Sequence, residues 1–501
     1  LAAASCCERL ACYVLASGGA AVPAGHGAKK GEFMSRLSQW IRRVRHRNAV
    51  IAHLPQDMAA LAEIMKTAQR QIQNAAALSE EQSRRLQGEL YKIKQTVNLT
   101  AAARPAGKKI KVVFLVHHIE AWDSLADIYE TMRKAEDFEP FAVSIPRRFP
   151  GEEHYGFEDI IHEKLTEWGI AHLRFNMANS FEGLDILKAL APDIIFRQSQ
   201  WDWDIPPGFA TEELRFARLC YVPYGVTCIV NTQKLPGDRD PAADSDFHRA
   251  AWKIFYATPY QEELNQRSAQ NLEIVGHPKV KRLIRLGREQ EHWPIRQAGA
   301  GRRFRLIWSP HHSVGKEWLR FGLFPAVYQD MLAWAKSDET VEIVLSFHPA
   351  SITKITEAGG ALTKADMETF LREWDSLPNT ARHGAGNYAG LMQASDCLIT
   401  DGLSFLVEYQ FFTKPVIFLE RADHLPFSPA GERIIAGTHP VKTVAEARKL
   451  AHDFAAGCVD SKAQIERDNT AWLAGEKLAA GSAAERIVRS IRRAIRAEER
   501  P

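Results

Sequence analysis

The sequence predicts an α/β protein with two Rossmann-like domains facing a cleft, preceded by a helical or coiled-coil segment. Three observations carry this. In ASDCLITDGLSFLVEYQFFTKPVIFLE, residues 394–420, a buried strand (397–400), a helix (404–412) and a second strand (416–419) follow one another as a βαβ unit. Two other apolar runs, IKVVFLVHH at 110–118 and RLIWSPHHS at 305–313, end in clusters of polar side chains, as strands do when a ligand site lies at their carboxyl ends. Between them IVGHP at 274–278 reads as a hinge, followed by a charged stretch over 279–305.

The 501 residues, 46% hydrophobic, suffice for two or three domains. A net charge of +3 gives no argument for nucleic acid as a partner. No run of 18 apolar residues predicts a membrane span. Three of the seven cysteines fall in the first 12 residues, and Cys220, Cys228, Cys397 and Cys458 are far apart, a pattern that gives neither a disulfide framework nor a zinc site and fits a reducing cytosol.

Residues 1–33, rich in Ala and Gly and ending GEF before Met34, read as a leader translated ahead of a native start. A secretory signal is the rival reading, opposed by early charges and the lack of a continuous apolar core. Residues 34–100 open with a basic helix. Leu37, Trp40, Ile41 and Val44 share one face while Arg36, Arg42, Arg43, Arg45 and Arg47 crowd the rest, which suits either anionic lipid or docking on the protein's own body. Met58, Leu61, Met65, Ala68, Ile72 and Ala75 then keep a 3,4 spacing that resumes at Leu86, Leu90, Ile93 and Val97. This predicts a helical hairpin or interrupted coiled coil over 57–97, used for homo-oligomerisation or packed on the body.

The first α/β domain is expected over 108–275, with strands at 110–116, 141–145, 194–197 and 220–222 and a helix over 125–134. The end of its first strand offers His118, Glu120 and Asp123. The loop RQSQWDWD offers Arg197, Asp202 and Asp204 as acceptor-side candidates, and YVPYGVT offers Tyr224; the tryptophans at 201 and 203 equally suit a covered domain edge. No GxGxxG follows the first strand, so a dinucleotide dehydrogenase loses its main support.

The second domain, 300–455, gathers His311, His312, Ser313, His348, Thr400, Asp401, Ser404 and Glu408 along one sheet edge. Imidazoles and hydroxyls there can hydrogen-bond a diphosphate, and a carboxylate at 408, one turn after Ser404, can accept ribose hydroxyls. A structural histidine is the rival reading of His312, and a merely solvated helix that of Glu408, where ligand contact is favoured because the flanking positions are apolar. With no HExxH or close Cys/His set, no metal is expected. Residues 456–501 are terminal helices with a basic end: in AAERIVRSIRRAIR, Ile487, Ile491 and Ile495 recur every fourth residue among arginines. Such a helix suits an anionic membrane, or crosses the first domain with its arginines outward.

IVGHPKVKRL, RLIWSPHHS, VEIVLSFHP and the 388–420 stretch, in this order, resemble the CDP-glycerol glycerophosphotransferase family of teichoic-acid-type polymerases, proteins of GT-B fold. The resemblance covers mainly 274–443. It implies contacts from His348 and from Thr400, Asp401, Ser404 and Glu408 to the diphosphate and ribose of a CDP-linked donor, with no further cofactor. Three positions depart from the family's pattern: Gly402-Leu403 stands for Tyr-Ser, Phe347 for a basic residue, and Glu408 for aspartate. A fourth is Tyr224-Gly225, where the family has His-Gly with a presumed histidine base. A phenol of ordinary pKa near 10 is a poor base at neutral pH, so His118, Glu120 or Asp123 takes that role or the transferred group differs.

The expected activity is transfer of a polyol phosphate from a CDP-polyol to a hydroxyl of a lipid-linked or polymeric glycan. The alternatives are a GT-B glycosyltransferase using a sugar nucleotide and a catalytically reduced, membrane-adjacent assembly factor that still binds nucleotide. The expected location is cytoplasmic, peripheral on the inner face of the membrane.

Overall fold

The computed structural model describes residues 35–36, 38–43, 63, 65–73, 79, 82, 86, 108–148, 152–232, 242–259, 272–296, 301–316, 319–347, 351–356, 360–384 and 388–498. Residues 1–33 and most of the 57–97 periodicity lie outside the described residues. The chain divides into two units, Leu1–Glu89 and Leu90–Pro501. In the first, residues 38–43 and 65–73 are helical, with Trp40, Met65 and Ile72 exposed.

The second unit holds two parallel sheets. Strands β1 (Ile110–Val116), β2 (Phe138–Ser144), β3 (His172–Arg174), β4 (Ile194–Arg197), β5 (Arg218–Tyr221), β6 (Lys253–Tyr256) and β7 (Leu272–Ile274) lie in the order β3-β2-β1-β4-β5-β6-β7. Strands β8 (Phe304–Ser309), β9 (Val341–Ser346), β10 (Thr380–His383), β11 (Cys397–Thr400), β12 (Val416–Leu419) and β13 (His439–Val441) lie in the order β10-β9-β8-β11-β12-β13. This is a two-Rossmann-domain, GT-B-like architecture. Helices cover both faces, so β1, β9 and β11 are buried almost throughout rather than alternately. The order reverses between β1 and β4 and again between β8 and β11, and crevices open at such switch points.

Short strands escaped the sequence reading. β3, β6, β7, β10 and β13 have three or four residues each, too few to establish a period, and β13 contains Pro440. The helix Val444–Ala455 follows β13 and starts where Thr443 and Glu446 form a capping box. The charged stretch after the hinge begins as a helix, Pro278–Glu289, capped by the His277 side chain, which accepts from the Lys279 N–H. Its Val280 and Leu283 enter the second domain's core.

The terminal helix Ala483–Glu498 returns to the first domain. Ile487, Ile491 and Ile495 pack with Val112, Phe114 and Phe196, so its apolar face is occupied, while Arg492 pairs with Asp137 at 2.6 Å. Its Arg486 donates to the carbonyls of Val275 at 2.8 Å and Ala474 at 2.7 Å, fastening the hinge. Beside them Gly276 has φ +73, and a Cβ there would lie 2.4 Å from the Ala474 carbonyl oxygen. Among the described residues no helix is long and apolar enough to cross a membrane.

Candidate active site

The carboxyl ends of the two sheets face each other across a cavity of about 310 Å³. The first domain contributes His118, Glu120 and Tyr224; the second contributes His311, His312, Ser346, Ser404 and Glu408; Lys279 reaches in from the start of the hinge helix.

At the first switch point Gln198, the residue after β4, accepts the backbone N–H groups of His117 and His118 at 2.8 and 2.9 Å and returns a bond to the His118 carbonyl. This holds His118 at the mouth of the crevice. Its Nε2 lies 3.0 Å from Glu120 Oε2. Burial lowers the His118 pKa against the raising effect of Glu120, so the imidazole is neutral at pH 7 with the carboxylate fixing its tautomer. Burial acts to raise Glu120, but the hydrogen bond and charge of His118 outweigh it and bring the carboxyl to about 2. Tyr224 packs 6.1 Å from the His118 ring. Its side chain is 41% exposed, yet the surrounding cleft walls and then Asp204 raise its pKa, which makes the phenol still less suited to act as a base.

At the second switch point Thr400 and Asp401 turn inward. Thr400 donates to the Ser309 carbonyl at 2.6 Å and accepts from the Gly402 N–H at 2.8 Å. The buried Asp401 carboxylate accepts the N–H groups of His311 and Leu323. Desolvation raises its pKa to about 7 in spite of those bonds. Neither residue lines the cavity; both shape the loop that presents His311 and His312, whose rings lie 4.4 Å apart. Ser313, likewise off the wall, bonds His311 Nδ1 at 2.7 Å and accepts from the Phe321 N–H.

Glu408 is buried and its Oε1 lies 2.6 Å from Lys279 Nζ, with the ammonium 5.6 Å from the centre of the Tyr388 ring. The pair forms a cation–carboxylate floor to the cavity. His383, at the end of β10, also lines it; burial lowers its pKa to about 4, and its Nε2 has no partner among the described residues.

The structure thus brings His118, Glu120, Tyr224, His311, His312, Ser404 and Glu408 together. Asp123 is nearby but paired with Arg282 at 2.6 Å. Arg197 is fully buried, bonded to Asp202 at 2.6 Å and to Thr211 at 2.9 Å, and Asp204 accepts from Ser199 at 3.1 Å; none of these acceptor-side candidates lines the cavity. His348 lies outside the described residues. Among those described, no three His, Cys, Asp or Glu converge as a metal site would require.

Sequence reading missed Gln198, Lys279, Ser346, His383 and Tyr388. Lys279 carried a detectable sign: a lysine directly after the first-turn proline opposes the helix dipole, which implies a carboxylate partner.

Two Rossmann-like domains with a polar cleft between their switch points define a GT-B-like fold, and two solved UDP-N-acetylglucosamine 2-epimerases agree. A putative UDP-N-acetylglucosamine 2-epimerase from Listeria monocytogenes aligns over 78% of this chain and 98% of its own, at 17% identity and a TM-score of 0.52. The UDP-GlcNAc 2-epimerase from Neisseria meningitidis bound to UDP-GlcNAc aligns over 76% and 100%, at 12% identity and a TM-score of 0.51. The wall teichoic acid polymerase TagF aligns over 82% and 99%, at 15% identity and a TM-score of 0.47. No protein-family model and no curated protein matches the chain.

Proposed function

We propose that the protein is a transferase that binds a nucleotide-activated donor in this cleft and passes part of it to an acceptor hydroxyl. The observation that carries the reading is the facing of the His118–Glu120 dyad by His311, His312, Ser404 and the Lys279–Glu408 pair across one cavity. The Glu408 carboxylate suits a ribose hydroxyl, while the imidazoles and Ser404 suit phosphate oxygens. His118, oriented by Glu120, takes the acceptor proton.

The donor we favour is CDP-glycerol or another CDP-polyol, on the motifs shared with the glycerophosphotransferases. The acceptor oxygen attacks the polyol-bearing phosphorus, the bond to CMP breaks, and the second domain's donors stabilise the charge on departing CMP. The acceptor is a lipid-linked or polymeric glycan. A sugar nucleotide is the second reading, favoured by Tyr224 where the family's histidine is expected; attack then falls on the anomeric carbon. Contact with anionic membrane, in this proposal, rests on the basic helical residues 38–43, because the isoleucines of the terminal helix are buried.

The test is a panel of CDP-glycerol, CDP-ribitol, CMP-sugars, UDP-sugars and GDP-sugars, with binding and released nucleotide read by calorimetry and mass spectrometry. CDP-polyol binding with CMP release is expected. Selective turnover of a sugar nucleotide replaces the reaction with glycosyl transfer, and nucleotide binding without turnover on any acceptor favours an assembly factor.

A further inference from the structure

A second cavity, of about 760 Å³, adjoins the first, and Glu120 and Tyr388 line both. It runs between the first domain's 119–130 and 160–170 segments and the hinge helix Pro278–Glu289, so both domains wall it. Its outer lip is apolar and exposed: Ile160 is 47% and Trp168 42% accessible. Deeper in, the fully buried Trp122 also lines it and keeps an indole N–H without a partner among the described residues.

Its charges are balanced locally. Lys164 pairs with Glu167 at 2.7 Å, Arg282 with Asp123 at 2.6 Å, and Arg285 with Asp127 at 3.1 Å. Every cation on the wall is therefore neutralised, which leaves little field to hold a second polyphosphate. What remains is a set of fixed N–H donors and carboxylate lone pairs beside exposed aromatic and aliphatic faces. That combination matches a neutral polyhydroxylated ligand: hydroxyls bond the ion pairs at their unused positions, and the C–H face of a sugar ring covers indole.

We propose that this cavity is the acceptor site and that it takes a neutral saccharide, its ring stacked on Trp168 and its reacting hydroxyl delivered past Glu120 to His118. The inference rests on the donor-site reading above and moves the acceptor away from Arg197, Asp202 and Asp204, which are committed to internal bonds.

The experiment titrates wild type, Trp168→Ala and Trp168→Phe with two sets of probes: CDP and UDP by calorimetry, and neutral di- to tetrasaccharides of glucose, galactose, mannose and N-acetylglucosamine by saturation-transfer NMR. Trp168 is exposed, so both variants are expected to fold. A saccharide is expected to bind wild type, to weaken about tenfold in Trp168→Ala, the scale of a lost aromatic contact, and to recover in Trp168→Phe, with nucleotide affinity unchanged. Nucleotide binding together with no saccharide binding, or saccharide binding indifferent to Trp168, overturns the acceptor site and leaves the donor reading intact. Loss of nucleotide affinity in Trp168→Ala overturns it by assigning the cavity to the donor. Failure of wild type to bind either nucleotide removes the donor reading, and the proposal resting on it falls too.

Discussion

Gln198 and Asp401 hold equivalent stations in the two domains. Each is the first residue after the strand beyond the switch point, and each accepts backbone N–H groups from the loop after the domain's first strand: His117 and His118 for Gln198, His311 for Asp401. A side chain thus bridges each crevice from below and sets the height of the histidines above it.

Replacing Asp401 by Ala leaves two part-buried N–H groups without their acceptor, a cost of about 1 kcal/mol for each. The second domain is expected to lose stability in urea titration, with nucleotide affinity falling because the 311–313 loop shifts. Gln198→Ala is expected to reduce turnover while nucleotide affinity holds, since it releases the His117–His118 turn and leaves the second domain's loop in place. Equal effects on both properties in both variants would contradict the division of labour.

The Lys279–Glu408 pair is buried on both sides. Removing one member strands a charge, so Lys279→Met and Glu408→Gln should each cost about 3–5 kcal/mol. The double variant Lys279→Met, Glu408→Gln is expected to recover much of that stability but not nucleotide binding. Calorimetry on the folded double variant decides whether the pair recognises ligand or only packs; undiminished affinity would assign it to packing.

Gly276→Ala places a Cβ against the Ala474 carbonyl at a positive φ, and strain plus overlap should cost about 2–5 kcal/mol. A lowered thermal midpoint with faster proteolysis at the hinge is the expected readout.

His277 ties the hinge to the Tyr224 loop: Nε2 donates to the Pro223 carbonyl at 2.8 Å, and Nδ1 accepts from the Lys279 N–H at 3.2 Å. Acceptance at Nδ1 requires the neutral ring, and burial lowers its pKa to about 3 from 6.5. Between these values the unfolded chain binds the proton and the folded one does not, so this residue's contribution is present above pH 6.5 and lost as pH falls toward 3. Urea titrations from pH 8 to 4 should show that decline, and His277→Gln should flatten it.

Ile491 is fully buried in the first domain's core. Ile491→Ala is expected to cost about 2–5 kcal/mol, and the loss should appear in denaturant titration without liposomes present. A change confined to liposome binding would instead make this face a membrane contact.

The parallel α/β character, the hinge and the strand-end clusters were all determined by the sequence, because long buried runs and the turn residues that end them are local properties of the chain. His118, Ser404 and Glu408 could be named from it for the same reason. Which polar residue faces the cleft was decided only by tertiary structure. Thr400 and Asp401 stand beside Ser404 in the chain yet turn into the loop beneath it, because their positions next to β8 give them backbone partners. Lys279 meets Glu408 across 129 residues, and Ile491 finds the core through a helix whose spacing alone suits lipid equally well. Periodicity specifies that a face must be buried, whereas strand order and packing specify against what.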